Sequence, residues 1–298
     1  MGGYDYWEGN FDMTILKKIK GIIPLCVKEK VWDLRHLSQK RKILKYLSNN
    51  KKYEKEYLFL KNNRLSPYLY EYTKNYNWKE VDIKFDNDER PFYLYKNKRM
   101  YFKKSMKVEH IKKYVSGILQ QEDINSPHKY NTQRIINNYN IQYVADIGAA
   151  EGFFALDVID YVKKVYIFEC DGEWAEALEK TFSPYTEKIE IIKKYVGGED
   201  KEENITLDRF FENLPLDCIK ADIEGAEVSM LNRGGQTLKK ILLAIICTYH
   251  RQNDAKDIYN ILQKEGFKTS FTPGYILFLY DKELGEPWLR RGVITGEK

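Results

Sequence analysis

The four cysteines of this 298-residue chain, Cys26, Cys170, Cys218 and Cys247, have none of the spacings of a structural zinc site. Three of them, Cys170, Cys218 and Cys247, fall in apolar strand-like runs, where cysteine serves as a small buried hydrophobe, so a reducing compartment is expected. Long apolar runs are missing too: GIIPLCV, Gly21–Val27, is far short of the roughly 20 residues that a bilayer-spanning helix needs. The opening MGGYDYWEGNFDM lacks the basic stretch and apolar core of a secretory signal, and a cytoplasmic location is expected. There is no internal repeat and no low-complexity tract, which excludes solenoid and compositionally disordered classes. No G-x-G-x-x-G and no H-E-x-x-H occur, so the dinucleotide fingerprint and the short metalloprotease motif are both absent.

What is present is enough apolar mass for a core: 43% of residues are hydrophobic and 31% charged. The net charge of +5 hides an asymmetry, because residues 1–110 carry 25 basic against 14 acidic side chains and the remainder carries 24 against 30. A basic N-terminal part suits an anionic partner, although solvated helix faces give the same balance. Residues 14–62 are Lys-rich with apolar residues at helical spacing (Val31, Leu34, Leu37, Ile43, Leu44, Leu47), which reads as two or three helices broken near Pro24 and at Asn49-Asn50. FYLY and MYF around Lys96–Arg99 read as a β-hairpin, and a helix is expected over 108–121. EDINSPHKY, Glu122–Tyr130, is polar and turn-rich and serves as the expected linker. The chain is therefore divided into 1–121, a basic helical and hairpin region for substrate, lid or dimer contacts, and 122–298, the catalytic domain.

From Ile141 the pattern alternates. Strands are expected over 143–148, 164–169, 189–196, 217–223 and 241–249, with helices near 152–161, 172–182, 206–213, 225–232 and 254–265. Continuous apolar strands separated by helices indicate a parallel sheet covered on both faces. FKTSFTPGYILFLY, Phe267–Tyr280, reads as two strands around Pro273-Gly274, an antiparallel hairpin at the sheet edge. The expected fold is α/β: the Rossmann-like class I methyltransferase layout, a mixed seven-stranded sheet with a C-terminal antiparallel hairpin.

The sharpest local signal is DIGAAEG, Asp146–Gly152, which ends one strand and opens a helix. Gly148 permits the tight turn and Gly152 a close helix approach. The G-x-x-x-G spacing suits a ligand with an amino-acid tail and a ribose better than one with a pyrophosphate. Glu169 closes the next strand, where a carboxylate accepts hydrogen bonds from ribose hydroxyls. The expected cofactor contacts are Asp146, Gly148, Ala149, Ala150, Glu151, Gly152, Phe153, Glu169 and Asp222.

DIGAAEG with FFAL, then VYIFECD, ITLD (Ile205–Asp208) and IKADIEGAE (Ile219–Glu227) resembles the FkbM family of methyltransferases. The telling element is K-x-D-x-E-G-x-E, here Lys220, Asp222, Glu224, Gly225 and Glu227. The resemblance covers about residues 122–280. It implies methyl transfer from S-adenosylmethionine, usually to oxygen, in sugar, polysaccharide or natural-product pathways. A sugar or glycan-linked small acceptor, for instance in capsule biosynthesis, is the expectation.

At the carboxyl rim of the strands stand Asp222, Glu224 and His250, the expected catalytic residues. His250 has the unperturbed pKa of a general base, while Asp222 could orient the acceptor. Tyr249, Arg251 and His128 are the expected substrate contacts, Arg251 as a clamp for a phosphate or carboxylate. Glu227 is read as a favourable charge at a helix N-terminus and Asp254 as a helix cap. Lys220 sits inside its strand and is expected to pair with an acid. Asp222, Glu224, His250 and Asp254 are metal-ligand types, but without a short ligand motif a divalent metal is not favoured. A nitrogen or phosphoryl-type acceptor remains the alternative, as does a module that binds S-adenosylmethionine without turnover. Nucleic acid is not favoured, since N/D-P-P-Y is absent. A homodimer is left open.

Overall fold

The computed structural model describes residues 25–298, with side chains from residue 31 onward. The expected break at Pro24 and the side chain of Cys26 lie outside the described residues. The chain divides after Thr73 into two compact units. The hairpin and the helix Val108–Gln121 thus fall in the larger unit, and the 121/122 boundary drawn from the sequence does not coincide with this division. No described helix is long and apolar enough to cross a membrane.

In the smaller unit the helix Leu25–Ser48 stops just before the Asn49-Asn50 pair, as that pair suggests, and a 3-10 turn at Lys51–Tyr53 leads into the helix Glu54–Asn62. Ile43, Leu47, Tyr53, Leu60 and Leu69 make its core. Leu34 and Leu37 are exposed, so the apolar stripe is buried only over its C-terminal half.

In the larger unit β1 (Lys84–Phe85), β2 (Pro91–Tyr95) and β3 (Lys98–Tyr101) form a small antiparallel sheet. Lys96 and Asn97 make its tight turn with φ of 46° and 65°, the left-handed pair that a two-residue hairpin connection requires.

The main sheet contains β4 (Tyr143–Ile147), β5 (Lys164–Phe168), β6 (Ile189–Ile192), β9 (Cys218–Ala221), β10 (Leu243–Cys247), β11 (Lys268–Phe271) and β12 (Val293–Glu297). Their order is β11-β12-β10-β9-β4-β5-β6. The strands from β10 to β6 are parallel, and β12 runs antiparallel to both β10 and β11. Alternation within a strand sends successive side chains to opposite faces. Ala145, Ile147, Ile219, Ala221, Ala244 and Ile246 pack with Leu231, Leu238, Ile258 and Leu262 in one core cluster. Burial on both faces explains why β4, β9 and β10 read as continuous apolar runs.

Several expectations need correction. The expected strand over 189–196 breaks at Lys193-Lys194, and β7 (Tyr195–Val196) pairs instead with β8 (Asn204–Ile205) in a separate two-stranded sheet. The helix expected over 206–213 is one turn, Leu207–Phe210, and a helix at Gly235–Lys240 was not anticipated. The edge hairpin is real, but its second strand is not 275–280. After Pro273-Gly274 the chain leaves the sheet, makes an isolated antiparallel bridge between Ile276 and Arg290, and returns as β12 between β10 and β11. Gly296 suits that inner position, since a Cβ there would lie 3.1 Å from the Phe267 side chain. Cys170 is exposed because β5 has already ended at Phe168, whereas Cys218 and Cys247 are buried as expected.

Candidate active site

Three strand ends meet at one rim. Ile147 at the end of β4 accepts a hydrogen bond from Asp222 N (3.0 Å), and Phe168 at the end of β5 accepts from Gly148 N (3.0 Å) and Ala149 N (3.3 Å). The Gly148–Gly152 turn is thereby sewn between β5 and the exit of β9. Gly148 has φ of +74°, and a Cβ on it would stand 2.1 Å from the carbonyl oxygen of Asp222, so only glycine fits. Gly152, at φ +80°, would meet Leu178 at 2.7 Å and Phe182 at 2.8 Å. Ala150 is left-handed without being glycine (φ 47°), a local strain of the kind that collects at functional turns.

Glu169 reaches back to this turn. Its Oε2 accepts from Ala150 N at 2.9 Å and its Oε1 from Asp171 N at 2.8 Å. A carboxylate has about four acceptor positions, so two backbone donors leave capacity for the hydroxyls of a ribose. Asp146 is fully buried and turned into the sheet. It is the cross-strand neighbour of Lys220 in the β4–β9 register, so both side chains emerge on one face. Lys220 Nζ lies 2.9 Å from Asp146 Oδ1 and donates to the Gly148 carbonyl at 2.9 Å. The expected acid partner of Lys220 is therefore Asp146, and the pair braces the glycine turn. Burial pushes the Asp146 carboxyl above its ordinary range, with Lys220 working against it.

Glu151 is buried. Tyr114, on the helix Val108–Gln121, donates to its Oε2 at 2.5 Å within the buried interior. Phe153 packs on Tyr95 of the hairpin with ring centroids 4.6 Å apart. The hairpin and that helix therefore touch the turn directly. Sequence reading missed Tyr114, whose one available signal is its place on the buried stripe with Ile111, Val115 and Ile118.

At the exits of β9 and β10 a buried polar cluster surrounds Asp222. Its Oδ2 accepts from Tyr130 OH at 2.8 Å and its Oδ1 from Tyr249 OH at 3.1 Å. His250 Nε2 lies 3.2 Å from Asp222 Oδ1 and 3.7 Å from Glu224 Oε2, while Nδ1 lies 3.0 Å from Glu227 Oε1. Burial disfavours a charged His250 ring, but the flanking Asp222 and Glu227 carboxylates outweigh it and raise its pKa to about 10. Burial likewise opposes ionisation of Asp222, and the imidazoles of His128 and His250 overcome it, holding its carboxyl well below the usual range.

His128 is buried inside this cluster, 3.1 Å from Tyr249 OH and 3.6 Å from Asp222 Oδ2, so it braces Tyr249 and Asp222 from within. Arg251 Nε donates to the Gly225 carbonyl at 2.9 Å and so secures the turn carrying Glu224 (φ 55°), which is exposed at the rim. Glu227 does open a helix, yet its Oε1 also accepts from Ile223 N at 2.8 Å and faces His250. Asp254 is not the cap: Asn253 holds that position, and Asp254 accepts from Arg251 N at 2.7 Å from inside the first turn. Arg290, 40 residues further on, donates to the carbonyl of His250 at 2.6 Å and fixes the strand exit. Neither Tyr130 nor Arg290 carries a motif that sequence reading could have used.

The ITLD element has a structural use: Asp208 accepts from Gln236 N (3.0 Å) and Thr237 N (2.7 Å), capping the helix Gly235–Lys240. It also borders an open cleft of about 550 Å³, lined in part by Asp200, Arg233 and Lys239, none of which belongs to the Asp222 cluster.

Residues 126–269 match the family described as the methyltransferase FkbM domain. No curated protein matches the chain. Among solved structures, precorrin-6y C5,15-methyltransferase from Geobacter metallireducens aligns at 9% identity and TM-score 0.39, covering 56% of this chain and 85% of that one. TrmK from M. capricolum, in complex with S-adenosyl-homocysteine, aligns at 14% and 0.39, covering 57% and 68%. A putative methyltransferase from Streptococcus mutans, also in complex with that product, aligns at 10% and 0.36, covering 56% and 96%. The match of residues 126–269 to the FkbM domain identifies this part of the chain as a methyltransferase domain, and the chain is a methyltransferase.

Proposed function

We propose that the chain transfers the methyl group of S-adenosylmethionine to a hydroxyl of a sugar or glycan-linked small substrate. One observation carries this reading: Asp222, Glu224 and His250 converge at the carboxyl ends of β9 and β10, within one loop of the glycine turn and Glu169. Ligands of open α/β sheets bind outside these strand ends.

The donor is S-adenosylmethionine, which supplies a methyl group made electrophilic by the sulfonium. The turn from Gly148 to Gly152 and the Glu169 carboxylate hold its adenosyl part. Placement of donor and acceptor in line accounts for much of the rate, as for any displacement between two bound reactants. The hydroxyl must also lose a proton. Glu224 is the exposed member of the catalytic trio, while Asp222 and His250 are buried. A ring that carries its proton at neutral pH has no lone pair to offer, so Glu224 takes the hydroxyl proton, and Asp222 and His250 orient the groups around it. Tyr249 and Arg251 border the acceptor side.

The test is turnover. The full chain, supplied with S-adenosylmethionine and a panel of free, nucleotide-linked and phosphorylated sugars beside amine acceptors, should release S-adenosylhomocysteine and leave a methyl ether on a hydroxyl. Methylation confined to nitrogen or phosphoryl oxygen would overturn the acceptor assignment. Binding of S-adenosylhomocysteine with no turnover on any acceptor would point to a non-catalytic module.

A further inference from the structure

We propose that Asp222, Glu227 and His250 form a binding site for a divalent cation that takes oxygen and imidazole ligands, placed to hold the acceptor oxygen. The three come from separate places in the chain: the exit of β9, the first turn of the helix Glu227–Asn232, and the exit of β10. One ligand atom from each can be chosen so that all lie within 4.8 Å of one another. Their exposures are only 6%, 0% and 4%.

The hydrogen bonding shows what is missing. Both ring nitrogens of His250 and the Oε2 of Glu227 are buried without a hydrogen-bond partner. The nitrogens stand 3.0 Å and 3.2 Å from carboxylate oxygens, in ion-pair contact with the other two members of the cluster. Buried polar atoms are nearly always satisfied, and such a group marks a binding or catalytic role when it is not. The neighbouring atoms, by contrast, are well served. Tyr130 and Tyr249 donate to Asp222, and Ile223 N donates to Glu227 Oε1. These are the outer contacts that orient metal-binding carboxylates.

Charge points the same way. Two carboxylates are buried together, and the nearby cations are engaged elsewhere: Lys220 with Asp146 and the Gly148 carbonyl, Arg251 with the Gly225 carbonyl, Arg290 with backbone carbonyls and Asp281. A divalent ion takes over the balance of the pair from the protonated His250 ring, displacing its proton and binding the lone pair so freed. Two carboxylate oxygens and one imidazole nitrogen suit manganese, iron, zinc or magnesium rather than a thiolate-seeking metal. Three protein ligands leave positions for water and for an acceptor oxygen.

The inference rests on the proposed methyl transfer and adds a Lewis acid to it. The acceptor oxygen forms the new bond to the methyl carbon, the carbon–sulfur bond breaks with its electron pair going to sulfur, and the hydroxyl proton passes to Glu224 and on to water. Glu227 here takes the place that Asp254 held among the ligand types read from the sequence, because Asp254 is occupied by Arg251 N.

Mn2+ is the probe. Chelator-treated full chain should bind one Mn2+ per molecule, read by the loss of the free-ion paramagnetic resonance signal, and should melt at a higher temperature when Mn2+ is added. Glu227→Gln keeps the side-chain shape and His250→Ala removes the ring; each should weaken Mn2+ binding at least tenfold, while retained S-adenosylhomocysteine binding shows that the variants fold. No Mn2+ uptake by the parent protein, or equal uptake by parent and both variants, overturns the site. If Mn2+ binds but turnover is unchanged after chelation, the Lewis-acid role is refuted and methyl transfer stands. If Mn2+ binds and no acceptor is methylated, the proposed function fails and the metal site stands.

Discussion

Replacing Lys220 by Met removes the one cation that holds Asp146 and the Gly148 carbonyl together. Asp146 is fully buried and its Oδ2 already lacks a partner, so the variant leaves a carboxylate with no counter-charge in the middle of the sheet. Breaking a buried ion pair from one side costs about 3–5 kcal/mol. At about 2–4 °C per kcal/mol for a domain of this size, the melting temperature should fall by about 6–20 °C. The pH dependence gives the sharper check. Burial already holds the Asp146 pKa above its ordinary value, and loss of Lys220 raises it further. Between the unfolded value of about 3.9 and that raised folded value, the folded state binds more protons than the unfolded one, so stability falls as pH rises. The deficit of Lys220→Met relative to the parent should therefore be largest near pH 8 and shrink toward pH 5. Adding Asp146→Asn removes the stranded charge and should recover at least half of the loss. Urea and thermal melts followed by tryptophan fluorescence at both pH values measure all of this. A loss below about 1 kcal/mol, within the range of an ordinary neutral hydrogen bond, or a double variant no better than the single one, would refute the bracing argument.

Three further outcomes are expected. Glu169→Gln gives up a charged acceptor of the Ala150 and Asp171 amides, and a hydrogen bond to a charged group is worth about 1.5–3 kcal/mol, so S-adenosylhomocysteine affinity by calorimetry should drop by about 10- to 100-fold; unchanged affinity would remove Glu169 from the donor site. Gly148→Ala places a Cβ 2.1 Å from the Asp222 carbonyl at a left-handed φ, so donor binding should be lost; a variant that binds S-adenosylhomocysteine normally would show that the turn has another conformation. Glu224→Gln should lower turnover by about 10²–10⁴-fold, the usual share of general-base help, with donor affinity nearly intact; normal turnover would send the proton elsewhere.

The sequence was sufficient for the parallel part of the sheet, because β4, β5, β9 and β10 are short apolar runs buried on both faces and need no distant information to be recognised. It was sufficient for the glycine turn as well, since a left-handed residue in close contact with backbone admits only glycine at Gly148. It did not reveal β12, whose strand pairing depends on a return of the chain from residue 292, nor the exposure of Cys170, which depends on where β5 stops. Within the site, Asp222, Glu224 and His250 were legible as residues at a common rim, but their surroundings were not. Tyr130 meets Asp222 across 92 positions, Tyr249 across 27 and Arg290 reaches the His250 carbonyl across 40, and no local spacing encodes such contacts. Only tertiary packing turned Lys220 toward Asp146, enclosed His128, and set Glu227 against His250. Burial then decided the chemistry, because the protonation of a carboxylate or imidazole depends on the charges packed around it, and those come from every part of the chain.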